Sequence, residues 1–87
     1  MEGKDIFIVT KETLTCIDIE YSTIAAFHNL EDAKKKMKEV FKEDISYFEN
    51  EFSINDIIVD EVEHTIDINV MFSDEYSRIA IKQITLY

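Results

Sequence analysis

Leu30, Ala33, Met37, Val40, Phe41, Ile45 and Phe48 recur at three- and four-residue spacing, the clearest helical period in the chain. Such a stripe is stable only against another apolar surface, so the remaining sequence must build one. Lys34, Lys35, Lys36, Lys38 and Lys42 occupy the opposite face, and Glu31–Lys35 adds an i,i+4 pair. Asn29 stands as N-cap, with Glu31 and Asp32 in the first turn facing the positive end of the helix dipole. Asn29 and Asp32 imitate a capping box with a shorter acid than usual. These features predict one helix over residues 30–49.

The flanking segments have the other period. Residues 5–10, DIFIVT, form a short apolar run that reads as a first strand, with a turn at Lys11 and Glu12. Residues 14–28 form a second extended run in which Cys16, Asp18 and Glu20 alternate with Ile17, Ile19 and Tyr21. Tyr21, Ser22 and Thr23 either bend this run or split it. After the helix, residues 55–62 lead through Glu63 and His64 into residues 65–72. There Ile66, Ile68, Val70 and Phe72 share one face, and Asp67, Asn69 and Met71 the other. Ser73, Asp74 and Glu75 make the next turn, and residues 76–86 form the last strand, with a β-bulge expected near Lys82 and Gln83. The order β-β-α-β-β-β predicts an α+β fold: an antiparallel sheet of four to five strands with one amphipathic helix packed on one face. Eighty-seven residues with no Pro, one Gly and no linker make a single domain over residues 1–87.

Several chemistries are disfavoured by residue type. A phosphate-cradling loop needs glycines that let backbone N–H groups approach an anion, and Gly3 is the only one. Cys16, His28 and His64 are too few and too scattered for a zinc site, so no metal and no cofactor is expected. Cys16 alternates with isoleucines and reads as a packing residue, His28 reads as the end of a strand, and His64 reads as a turn residue of the hairpin at residues 62–65. The pairs Asp18 with Glu20 and Asp56 with Asp60 are spaced to share strand faces, yet neither has the glycine-turned loop of a calcium site. No catalytic residue is assigned, and the chain reads as a non-enzyme. A single cysteine and the absence of an apolar leader or of 18 consecutive apolar residues predict a cytoplasmic protein that does not enter a membrane.

Charge is the informative remainder. The chain carries 9 Lys and Arg against 19 Asp and Glu, a formal net charge of −10. Residues 44–75 contain ten carboxylates and no Lys or Arg. Nucleic-acid phosphates and anionic membranes are poor partners for such a chain, and a basic protein surface is a good one. Glu49, Glu51, Asp56, Asp60, Glu61, Glu63, Asp67, Asp74 and Glu75 are the predicted partner-binding residues, or else solvated acids that keep the chain dissolved, and with Glu43 and Asp44 they are expected to form one negative surface. Tyr47, Phe48, Phe52, Met71 and Tyr76 are candidate apolar anchors within it, or else core residues.

The arrangement IFIVTKE…IAAFHNLEDAKKKM resembles a pattern in small acidic proteins encoded by phages and mobile elements. In these a short N-terminal hairpin ends in a Phe, followed by a polar cap and a helix that opens with an acid and then Ala-Lys. The matching residues are Phe27, Asn29, Glu31, Ala33 and Lys34, within about 35 residues of the chain. Some proteins of that group are anti-CRISPR or other host-defence inhibitors. The resemblance therefore implies an inhibitor of a nucleic-acid-binding effector or nuclease, working in the bacterial cell. It transfers no site residue, because the group shares no site motif. Two rivals stand beside it: an accessory module whose exposed edge pairs with itself or a host protein, its last strand mediating a dimer, and an enzyme or metal-binding protein. An immunity protein for a basic nuclease toxin uses the same electrostatics as the inhibitor.

Overall fold

A computed structural model describes residues 4–15 and 18–86. It has the predicted α+β architecture with five strands. These are β1 (Lys4–Leu14), β2 (Ile19–Phe27), β3 (Ile57–Val62), β4 (Thr65–Val70) and β5 (Tyr76–Leu86). The helix α1 (Leu30–Glu51) separates β2 from a single 3-10 turn, Ile54–Asp56, that leads into β3. All neighbours in the sheet are antiparallel, in the order β2-β1-β5-β4-β3.

The helix forms where the sequence places it. The Asn29 side chain accepts a hydrogen bond from the Asp32 N–H at 2.8 Å and donates to Asp32 Oδ2 at 3.0 Å, which satisfies a donor left free by helix geometry. Asn29→Ala is expected to cost about 1 kcal/mol of stability, read as a lower urea midpoint. Ala33, Met37 and Val40 pack on Val9, Ile66, Ile79 and Ile81, while Phe48 packs on Ile68 and Val70. The helix covers one face of the sheet. Directly opposed residues in antiparallel strands share a face, so the other face follows from the register. It presents Ile6, Ile8, Glu12, Tyr76, Arg78, Asp67, Asp60 and their neighbours, with no element over it.

Several local expectations are corrected. β1 runs straight through Lys11 and Glu12 to Leu14, and the Thr15 N–H donates to the Asp18 carbonyl at 2.9 Å. Tyr21, Ser22 and Thr23 do not split β2, which is continuous, although its irregularity falls directly after Thr23. The register shift lies between Val9 and Thr10, opposite Ala25 and Thr23, while the β1–β5 register passes Lys82 and Gln83 without interruption. A bulge on β2, an edge strand, twists an unpaired edge; one on β5 would break two ladders at once. Finally, β5 is the central strand, hydrogen-bonded to β1 and β4, so it has no free edge for a dimer. The Asp18–Glu20 and Asp56–Asp60 pairings also fail as strand pairs, because Asp18 precedes β2 and Asp56 lies in the 3-10 turn. Cys16 and Ile17 lie outside the described residues.

Candidate functional site

The predicted acidic residues divide between two regions. Asp60 and Asp67 sit directly opposite each other on β3 and β4, on the open face of the sheet. Like charges in that position repel, and Arg78 on β5 relieves the repulsion by donating to Asp67 Oδ1 at 2.7 Å and Oδ2 at 3.3 Å. The fork holds the Arg78 guanidinium above its ordinary pKa, first through the hydrogen bond to Asp67 and then through its charge. Glu61 is exposed on the helix side of β3, and Glu63 forms the β3–β4 turn with φ 43°.

Glu49, Glu51, Asp56, Asp74 and Glu75 belong to the other region, one pole of the molecule. There the end of α1, the 3-10 turn and the β4–β5 loop converge. The Met71 N–H donates to the Asp56 carbonyl at 2.8 Å, and the Tyr47 hydroxyl donates to Glu75 Oε1 at 3.5 Å. Phe48 and Phe52 stack at 6.0 Å between ring centroids and pack, with Ile57, on Ile68 and Val70, tying the helix end to the sheet. Glu49 and Glu51 lie in the last turn of α1, which has no basic residue. Acids there oppose the helix dipole at a cost of about 0.3–1 kcal/mol each at low ionic strength, so helix stability does not account for them.

Asp44 is a correction. It was expected on the negative surface, and it is buried at 8% exposure between helix and sheet. Lys11 Nζ donates to Asp44 Oδ1 at 2.7 Å, and the fully buried Ser77 Oγ donates to Oδ2 at 2.5 Å. Both carboxylate oxygens are satisfied, which is the condition for keeping a charge in a core. Asp44 lies four residues from both Val40 and Phe48, so the helical period itself places it on the buried stripe. Its partner Lys11 was hidden by the misplaced turn.

Phe72 is the second correction and the residue that sequence reasoning missed. The alternation of β4 assigns it to the inner face with Val70, but β4 ends at Val70 and Phe72 is 95% exposed with φ 64°. A left-handed backbone costs a residue with a Cβ about 1–2 kcal/mol. Here that conformation presents a benzyl side chain to water among Asp74, Glu75 and Asp56. Met71 and Ile54 are also exposed at this pole. Of the candidate anchors, Tyr47 and Met71 are accessible, Phe48 is buried and Phe52 is half-buried. Tyr76 lies on the open sheet face, where its hydroxyl donates to Glu12 Oε2 at 3.0 Å. That bond raises the Tyr76 phenol pKa, whereas bonds to Lys82 and Thr10 lower that of Tyr21.

A cleft of about 390 Å³ lies at the same pole, lined by Leu14, Thr15, Ser73, Asp74 and Glu75. A second, of about 240 Å³, opens beside it over Lys11, Asp44, Tyr47 and Tyr76. Among the described residues, no group of three or more His, Cys, Asp or Glu is arranged to hold a metal ion. No helix among them is long and apolar enough to cross a membrane. Compared with protein-family models, curated proteins and solved structures, the chain matches none.

Proposed function

We propose that this chain is a non-enzymatic inhibitor that docks its acidic pole onto a basic, nucleic-acid-handling protein, in the anti-defence role implied by its likeness to small phage proteins. Phe72 carries this reading. A fully exposed aromatic held in an unfavourable backbone conformation, within a stretch free of Lys and Arg, is costly for the isolated protein and useful as an anchor. Glu49, Glu51, Asp56, Asp74 and Glu75 steer the pole to a Lys- and Arg-lined channel, and Phe72 fixes it there. Inhibition is steric and electrostatic: the pole occupies the path of the phosphate backbone. The setting is the cytoplasm of a bacterial host.

The test compares two charge-reversed proteins in capture of a partner from host lysate. Glu49, Glu51 and Asp74 to Lys is expected to reduce capture at least about tenfold, through loss of steering and of paired charges. Asp60, Glu61 and Glu63 to Lys is expected to leave it within about twofold. Wild-type capture falls steeply as salt rises. Equal losses from both variants, or capture indifferent to salt, would contradict the acidic-pole mechanism.

A further inference from the structure

The open face of the sheet is unlike the rest of the surface. Its described charges are Lys4, Arg78 and Lys82 against Glu12, Asp60 and Asp67, three of each sign. The face is therefore neutral, and the chain's entire net charge of −10 falls on other residues. Its cations stand on β1 and β5, while Asp60 and Asp67 stand on β3 and β4. The charges are also largely occupied within the face: Arg78 forks onto Asp67, Glu12 accepts from Tyr76, and Lys82 Nζ donates to the Tyr21 hydroxyl at 2.8 Å. Around them Ile19, Tyr21, Ile58, Val62 and Ile84 are exposed, Ile19 at 61% and Val62 at 67%.

Size and shape fit a long, thin two-layer body, 52 × 23 × 17 Å along its principal axes, with one sheet face uncovered. The radius of gyration is 14.4 Å, against about 12 Å for a compact chain of this length, and the shortest principal extent is 17 Å. The accessible surface is 6144 Å², against about 5,300 Å² for a monomer of this mass. The surplus, about 800 Å², equals the share each partner buries in a standard interface.

We infer that the open sheet face is a homodimer interface, on which a second copy of this chain stacks its own open face about a two-fold axis. An isologous contact places a patch against itself. A single-signed patch repels its copy, whereas a neutral patch with its cations on β1 and β5, beside Glu12, and with Asp60 and Asp67 on β3 and β4 can meet it in register. Aligned sheet stacking then joins two half-covered sheets into a four-layer α-β-β-α body. The acidic poles lie off this face, so each copy keeps its Phe72 free. Because each subunit carries a net charge of −10, repulsion opposes assembly and salt favours it, the opposite of the salt response at the acidic pole.

Sedimentation equilibrium on the full chain tests this. The wild type is expected to approach about 20 kDa, twice the 10.2 kDa chain mass, with the dimer at least about tenfold tighter in 500 mM than in 50 mM NaCl. Ile58→Glu with Val62→Glu is expected to weaken the dimer at least about a hundredfold with unchanged circular dichroism. Ile84→Lys, on the longer central strands, is an independent second variant should the first lose its fold. Phe72→Asn is expected to leave the dimer intact. A wild type that stays at 10.2 kDa at both salt concentrations would overturn the inference. So would a dimer that survives folded face variants or that is lost with Phe72.

Discussion

Replacing Phe72 with asparagine is expected to leave the protein as stable as before, or up to about 1 kcal/mol more stable, while cutting partner capture at least about tenfold. The two effects have one cause. At φ 64° a Cβ crowds the following carbonyl, and asparagine tolerates that region better than phenylalanine does. The benzyl group contributes little to the fold, being 95% exposed, so its removal loses almost no packing. Its loss is felt only where a partner covers it. Urea denaturation and capture on the same preparation separate the two effects. A variant that is destabilised and still binds would mean that Phe72 serves the fold.

The largest loss of stability is expected at Asp44. Asp44→Ala leaves the fully buried Ser77 hydroxyl without its acceptor and the part-buried Lys11 ammonium without its counter-ion, at a cost of about 3 kcal/mol. For a domain of this size that lowers the melting temperature by about 12–24 °C. The network as a whole is worth far less than that figure. Lys11→Met, Asp44→Leu and Ser77→Ala together replace it with apolar groups of similar volume, and the triple variant is expected to lie within about 2 kcal/mol of wild type. Melting curves of the single and triple variants check both halves. A triple variant as damaged as the single one would show that the polar network itself selects the helix register on the sheet.

Asp44 and Phe72 also show where sequence reading stopped. The helix was legible because its stripe has the right period and its cap the right chemistry. β4 was legible because Ile66, Ile68 and Val70 alternate with polar residues. Turns were legible only in part: Glu63 and His64 do make the β3–β4 reversal, but with no Pro and only Gly3, polar residues such as Lys11 and Glu12 also imitate reversals they do not make. Asp44 sat on a legible stripe, but its acid type was weighed above its position. Phe72 continued an alternation that the backbone abandons two residues earlier, and no neighbouring residue type marks a left-handed turn there. Which acids converge was equally hidden: strand order places Asp60 and Asp67 on the open face and leaves Asp56, Asp74 and Glu75 at the pole.

Under the proposed function, cations are received at the acidic pole, beside Phe72. Backbone amide NMR during titration with a deca-arginine peptide measures this directly, residue by residue. Shifts concentrated in residues 47–56 and 71–75, fading as salt is added, are the predicted result. Shifts concentrated at residues 60–63, or spread evenly over every exposed carboxylate, would contradict it.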